Sequence, residues 1–213
     1  MHIPDGILPV PVTAAGYAIT AAATWYSVRK INQKENPRED VLKASLLTAA
    51  FFVASWIHIP VPPTSVHLVL NGLLGAVLGY FAFPAILIGL FFQAVMFQHG
   101  GLTTLGVNAV IMGVPAIIAH YIFHLRKTGK RESKPRTAVF GFFSGAVALG
   151  ISVALFVVIL MTNIPADIDV GAERAAIYTL AIAHLPLIAI EGVITSMLTV
   201  FLRKVRPRVL EGV

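Results

Sequence analysis

The sequence predicts an all-α integral membrane protein, a single transmembrane domain over residues 1–213 with seven membrane-spanning helices. Three observations point to this class: 57% of the residues are hydrophobic, only 12% are charged, and long apolar stretches recur along the chain. Soluble domains carry about 25% charged residues. A chain this poor in charge could not cover its own surface in water, so the expected solvent is a lipid bilayer.

Each predicted span is an apolar stretch, and a bilayer crossing takes roughly 20 residues, with a range of about 17–25. The third and fourth stretches are shorter and meet at Ala82-Phe83-Pro84. A tight turn is expected there, because proline cannot continue a helix without loss. The last two stretches are long and can tilt or protrude. The predicted spans are 9–28, 44–60, 67–82, 84–98, 106–125, 138–162 and 174–202.

Basic residues orient the predicted spans. All 16 lysines and arginines except Arg174 lie in the loops 29–43 and 126–137 and in the stretch after residue 202. Seven spans place these three segments on one side, which the positive-inside rule assigns to the cytoplasm. Six or eight spans would distribute the positive charge over both faces. The N-terminus is therefore expected outside and the C-terminus inside, and the net charge of +6 is a topology signal that does not indicate nucleic-acid binding.

Composition excludes several kinds of chemistry. The chain has no cysteine, so disulfides, thiolate metal sites and a cysteine nucleophile are excluded. The first ten residues contain no lysine or arginine, so the basic region of a signal peptide is missing and Met1 is the expected mature terminus. The phosphate-loop pattern GxxxxGK[ST] is also missing, and we expect no ATP binding by that route.

The N-terminus is the sharpest candidate for chemistry, because His2 directly follows Met1. The α-amine of Met1 and the amide nitrogen and imidazole Nδ1 of His2 can chelate one metal ion in unstrained rings. A metal that displaces the amide proton would hold these nitrogens in a plane, which is typical of Ni²⁺ or Cu²⁺. A turn expected at Pro4-Asp5-Gly6 could aim the terminus back into the bundle. A histidine at position two also occurs by accident, so the residues alone leave both interpretations open.

A fourth nitrogen would have to come from the outer ends of the predicted spans. His67 begins the third span, and Asn71, one helical turn further along, could orient the His67 ring from the same face. His58 and His99 are the alternatives for the fourth position. For His67 an ordinary interfacial histidine is the competing interpretation.

Other titratable residues fall inside the predicted spans, where such groups are functional candidates by default. His120 and His124 share a helix face, but the glutamate of a HExxH motif is missing, which favours two interfacial histidines. His184 and Glu191 lie two helical turns apart on one face. A structural polar clamp between helices is the simpler interpretation of this pair, and a proton relay or a metal exit site is the other.

Five segments spread from residue 1 to about 195 share a pattern with one known family. They are Met1-His2-Ile3-Pro4-Asp5-Gly6, Thr64-Ser65-Val66-His67-Leu68, Gly100–Ala109, His184-Leu185-Pro186 and Glu191–Thr195. In this combination the chain resembles the M-type (CbiM/NikM) substrate-binding S components of nickel and cobalt energy-coupling-factor transporters. The resemblance implies a six-helix capture core with an added N-terminal helix, in the cell membrane of a prokaryote.

The same resemblance implies the ligands and the partners. The metal ligands would be the amine of Met1, the backbone and imidazole of His2, and the imidazole of His67. Asn108, in the third matching segment, joins the residues that could support the site. The implied partners are a transmembrane coupling subunit, cytoplasmic ATPase subunits and often a small accessory membrane protein.

The expected function is therefore capture of Ni²⁺ for ATP-driven uptake, and the chain is not expected to be an enzyme. Cobalt is the alternative cargo, although cobalt-directed relatives often have Met-Glu where this chain has Pro4-Asp5. An intramembrane metalloenzyme would need a general base beside the metal, whereas Glu191 lies deep in span seven. A proton-coupled secondary transporter would need paired carboxylates or inverted repeats, and a structural membrane anchor is the remaining alternative.

Overall fold

The computed structural model describes residues 2–34, 37–61, 64–128, 133–165 and 169–211. Within these ranges the chain is mainly helical, with two short 3₁₀ turns and one small sheet. The helices are α1 (Val10–Ile31), α2 (Pro37–Ala54), α3 (Asn71–Leu78), α4 (Ala82–Phe97), α5 (Leu105–His124), α6 (Lys134–Thr162), α7 (Val170–Val205) and α8 (Arg208–Glu211), and the strands are β1 (His58–Val61) and β2 (Thr64–His67).

Several helices are suited to a bilayer. Among the described residues, four stretches are long and apolar enough to cross a membrane: 71–97, 105–127, 134–162 and 170–205. Helix α1 has 22 residues, which at about 1.5 Å per residue also reaches across a hydrocarbon core of about 30 Å. The structure is thus mainly helical, as predicted, and its helices are consistent with a multi-pass membrane protein. The count of seven spans and the orientation stay predictions.

The prediction was wrong for the segment between α2 and α3. The second span, 44–60, ends as a helix at Ala54, and the third, 67–82, begins as a helix only at Asn71. In between, β1 and β2 form an antiparallel hairpin in which His58 lies opposite His67. Ile59 and Val61 both precede a proline, which disfavours the helical backbone. The β-branched residues there also favour strands, so the expectation of an all-α chain fails for this short segment.

The turn between the third and fourth predicted spans also lies elsewhere. Helix α3 ends at Leu78, and Gly79 takes a positive φ of 59° before the 3₁₀ turn Gly79–Phe81 leads into α4. Glycine adopts this backbone without a steric penalty. Pro84 instead lies in the first turn of α4, where its missing N–H group leaves no intrahelical bond unmade. Gly79 therefore makes the break that was expected at Ala82-Phe83-Pro84.

Helix α5 packs against α1, α3, α4 and α6 and organises the fold around itself. Its first turn lies close to α1: a Cβ on Gly106 would be 2.6 Å from the backbone nitrogen of Tyr17, and a Cβ on Gly16 would be 2.4 Å from Cγ2 of Val107. Small residues allow such close helix approach in membranes. This close packing places the N-terminal segment before α1 beside the loop before α5.

The orientation can be tested at the two ends of α5. Leu102 precedes this helix and Thr128 follows it, and both residues are exposed. The chain has no cysteine of its own. With the N-terminus outside, a membrane-impermeant thiol reagent labels Leu102→Cys in intact cells and labels Thr128→Cys only after permeabilisation. Labelling in the opposite order would overturn the N-out topology.

Candidate metal centre

The backbone of Ile3 is anchored inside the protein. The side-chain amide of Asn108 accepts a hydrogen bond from the Ile3 N–H (2.9 Å) and donates one to the Ile3 carbonyl (3.0 Å). The hydroxyl of Thr104 donates a second bond to the same carbonyl (2.6 Å). The Ile3 side chain is fully buried. Both polar groups of this residue are thus satisfied by the start of α5, which fixes the position of the preceding residue, His2.

Asp5 continues the anchoring at the surface. Its carboxylate accepts bonds from the backbone N–H of Leu102 (3.2 Å) and of Thr103 (2.9 Å) and from the Thr103 hydroxyl (2.6 Å). The Thr103 hydroxyl holds the pKa of this carboxyl below its usual value. A Cβ on Gly101 would lie 1.9 Å from the Asp5 carboxylate, so only glycine allows the two segments to pass so closely.

Three imidazoles meet beside this anchored N-terminal segment. His2, His67 and His99 each offer a ring nitrogen, and the three nitrogens lie within 4.8 Å of one another. Their ring centroids are separated by 4.1 Å for His2 and His99 and by 5.3 Å for the other two pairs. Imidazole is a common ligand of Ni²⁺, Cu²⁺ and Zn²⁺. The arrangement can therefore hold a transition-metal ion.

A chain of hydrogen bonds fixes the tautomer of His2. The Ser55 hydroxyl donates to the carbonyl of Phe52 (2.7 Å) and so accepts from Nε2 of Gln93 (2.9 Å). The Gln93 amide oxygen then faces Nε2 of His2 at 2.9 Å and accepts its proton. The lone pair of His2 is left on Nδ1.

This Nδ1 is ready for a metal. It is buried and has no hydrogen-bond partner in the described part of the chain. Burial, the largest cause, holds the pKa of His2 well below its usual value. The imidazole of His2 is therefore neutral at physiological pH, which metal ligation requires.

His67 is oriented by its own loop. Its Nδ1 lies 3.0 Å from the carbonyl of Leu68. Because a carbonyl can only accept, Nδ1 carries the proton and the lone pair lies on Nε2. A ligating histidine typically donates its other ring nitrogen to such a carbonyl.

His99 reaches the cluster through the C-terminal cap of α4. Gln98 takes a left-handed backbone with a φ of 53°, and the N–H of His99 bonds to the carbonyl of Gln93 (3.1 Å). The backbone of Gln93 thus holds His99 while its side chain holds His2. The sequence named His99 only as an alternative to His67, but the structure brings both to His2.

Of the other predicted site residues, only Asn108 lies beside the histidine cluster among those that the structure describes. Met1 lies outside the described residues, and so does the side chain of His58. Asn108 lies beside the site as a support of Ile3. Asn71 does not sit one turn below His67, because α3 begins at Asn71 and His67 belongs to β2. The Asn71 amide instead donates to the Met112 carbonyl (3.1 Å) and to the hydroxyl of Ser152 (2.8 Å).

Sequence reasoning missed Gln93, Ser55 and Thr104. All three are buried. A glutamine inside a predicted apolar span was the one available signal, because a polar side chain in a membrane needs a partner. The partner of Gln93 is separated from it by 91 positions, so it could not be read from spacing.

The remaining histidines lie apart from this cluster. The His120 ring stacks near Tyr80 and His124, with centroid distances of 4.9 and 6.0 Å. Nδ1 of His184 lies 2.7 Å from the Leu180 carbonyl within α7.

Known proteins with related sequences are metal transport proteins by name. A family model described as "Cobalt uptake substrate-specific transmembrane region" matches residues 2–209. A putative metal transport protein of Haemophilus influenzae is 35% identical over 211 residues, which cover 99% of this chain and 97% of the relative. The putative cobalt transport protein CbiM of Methanococcus voltae is 32% identical, with 100% and 96% covered. The fused nickel transport protein NikMN of Rhodobacter capsulatus is 34% identical, with 99% and 64% covered.

Solved structures share the fold. The crystal structure of a transition metal transporter superposes with a TM-score of 0.78 at 20% identity, over 96% of this chain and 93% of the other. A truncated transition metal transporter gives a TM-score of 0.71 over 96% and 97% of the two chains.

The predicted role of His67 as a metal ligand can be tested by substitution. Removing the Nε2 donor with His67→Ala should lower the affinity for Ni²⁺ by more than the roughly 10–100-fold typical of an outer-shell change, measured by titration calorimetry of the purified protein. The control His124→Ala removes an exposed histidine at the far end of α5 and should leave the affinity unchanged. If His67→Ala retains the affinity and His99→Ala or His58→Ala loses it, the ligand is one of those residues.

Proposed function

The chain belongs to the CbiM family of cobalt-uptake substrate-specific transmembrane regions, and we propose that it is the nickel-capture subunit of an ATP-driven transporter of the energy-coupling-factor class. One observation carries the proposal: His2, His67 and His99 bring one ring nitrogen each within 4.8 Å of one another, and Nδ1 of His2 is buried with no hydrogen-bond partner among the described residues. The metal ion is the cargo of this site. The family model, which matches residues 2–209, confirms the family membership that the sequence segments predicted.

The proposed ligand set has four nitrogens. The amine of Met1, the amide nitrogen of His2 and its Nδ1 form the terminal chelate, and Nε2 of His67 completes a plane. The tautomers support this set, because the contact with Gln93 puts the lone pair of His2 on Nδ1 and the contact with the Leu68 carbonyl puts that of His67 on Nε2. Burial further favours the neutral imidazole of His2.

Nickel fits this ligand set best. Planar nitrogen ligation is diagnostic of Ni²⁺ or Cu²⁺, and one relative is named for nickel transport. Cobalt is the second candidate: other relatives are named for cobalt, and His99 could add an apical donor, which Co²⁺ accepts more readily than planar Ni²⁺. Cellular uptake of each ion, compared at equal external concentration, separates the two.

Energy for uptake is proposed to come from partners. The sequence has no phosphate loop, so the ATPase subunits, a transmembrane coupling subunit and a small accessory subunit would act on this chain from the cell membrane of a prokaryote. A proton-coupled secondary transporter is the alternative mechanism. Uptake that stops when the ATPase is inactivated, with the proton gradient intact, supports the first mechanism over the second.

The terminal amine is the decisive feature of the proposed ligand set. One residue added before Met1 converts the amine into an amide and moves the new amine out of register, while every histidine stays in place. The extended protein should fold and insert into the membrane but retain no Ni²⁺ on purification, measured by metal analysis against the native terminus. A one-residue extension at the C-terminus is the matched control and should leave the nickel content unchanged. Equal nickel with either N-terminus would rule out the terminal chelate and leave a site of imidazoles alone.

A further inference from the structure

Glu191 lies in the middle of α7 and is fully buried. Its carboxyl group reaches across to the loop between β2 and α3, where one oxygen accepts from the N–H of Val69 and both oxygens lie 3.0 Å from the N–H of Leu70. A buried carboxyl group is costly unless it is hydrogen-bonded, and these contacts satisfy it. Glu191 thus ties the longest helix of the protein to the segment that follows His67.

The peptide group between Leu68 and Val69 is shared by two of these contacts. Its N–H group donates to Glu191, and its carbonyl accepts from Nδ1 of His67. A peptide group is planar and rigid, so an atom that holds its N–H on one side also sets the direction of its carbonyl on the other. Glu191 and His67 are therefore coupled through one peptide plane.

We propose that Glu191 is a positioning residue for the metal ligand His67, acting through the Leu68–Val69 peptide group. This inference rests on the proposed function, because it assigns His67 as a ligand. The arrangement resembles the pairing in which a carboxylate supports a ligating histidine and raises its basicity, with a peptide group inserted between the two. Consecutive hydrogen bonds polarise one another in a low dielectric, so the carboxyl group strengthens the carbonyl as an acceptor.

The backbone conformation of the loop also indicates that Glu191 holds it in place. Leu70 takes a left-handed conformation with a φ of 54°, which a residue with a large side chain rarely adopts. Such a conformation persists where surrounding contacts over-determine it. The two bonds from the Leu70 N–H to Glu191 are such contacts, and they place the first turn of α3 directly after the ligand loop. The N-terminal end of a helix also favours a carboxyl group.

The test is a double-mutant cycle on Ni²⁺ affinity. Glu191→Gln keeps the size of the side chain and one acceptor oxygen but turns an amide NH₂ group toward backbone N–H groups. It should lower the affinity about 10- to 100-fold, as outer-shell changes do. In a His67→Ala background the same substitution should have no further effect, because the path to the metal runs through His67. An additive loss in that background would show a general structural role and overturn the inference.

The matched control is Thr195→Val, one turn further along the same buried face of α7. The Thr195 hydroxyl has no hydrogen-bond partner in the described part of the chain, so its loss should leave the affinity unchanged. Helical content by circular dichroism compares the folding of all variants. Wild-type protein that binds no Ni²⁺, or His67→Ala that binds it fully, would overturn the proposed function itself. Full affinity in Glu191→Gln beside a defective His67→Ala would overturn only the role of Glu191.

A second measurement needs no substitution at position 191. Imidazole ¹⁵N NMR of the metal-free protein, with His67 assigned by its loss in His67→Ala, should show a protonated and hydrogen-bonded Nδ1. A proton on Nε2 would remove the bond to the Leu68 carbonyl and end the proposal, even if Glu191→Gln failed to fold.

Discussion

The two hydrogen bonds between Asn108 and the backbone of Ile3 are the contact on which the site depends. They fix the N-terminal segment at Ile3 against the first turn of the central helix α5. Asp5 and the close passage at Gly101 continue the same anchoring toward the surface. The position of His2 follows from the way in which the next residue, Ile3, is held.

The first consequence concerns the lone pairs. A buried nitrogen without a hydrogen bond costs about 1–3 kcal/mol, and Nδ1 of His2 is such an atom. Gln93 holds Nε2 of His2, and the Leu68 carbonyl holds Nδ1 of His67. Both rings are therefore oriented before any ion binds. A metal ion would offset the cost at Nδ1. The unsatisfied nitrogen therefore lowers the stability of the metal-free protein but preorganises the site, a trade-off common at functional sites.

The sequence predicted the apolar helices well and the irregular segments poorly. Helix α5 begins and ends within one residue of the predicted span 106–125, because hydrophobicity alone marks a helix in lipid. The hairpin before α3 was missed, because a short apolar strand with prolines has the same composition as the end of a span. Chelation by His2 was predicted from local chemistry and stays a prediction. The pairing of Gln93 with His2 and of Glu191 with Val69 did not, because contacts over 91 and 122 positions depend on how the helices pack.

The proposed site holds an ion between the N-terminal residues and His67 in a plane of four nitrogens. X-ray absorption spectroscopy of the purified protein, loaded with one equivalent of Ni²⁺, tests this most directly. The proposed ligand set predicts the pre-edge feature of square-planar nickel, a first shell of nitrogen only, and multiple scattering from two imidazoles. A six-coordinate spectrum, or scattering from three imidazoles without a planar signature, would contradict the terminal chelate and place the ion among His2, His67 and His99 alone.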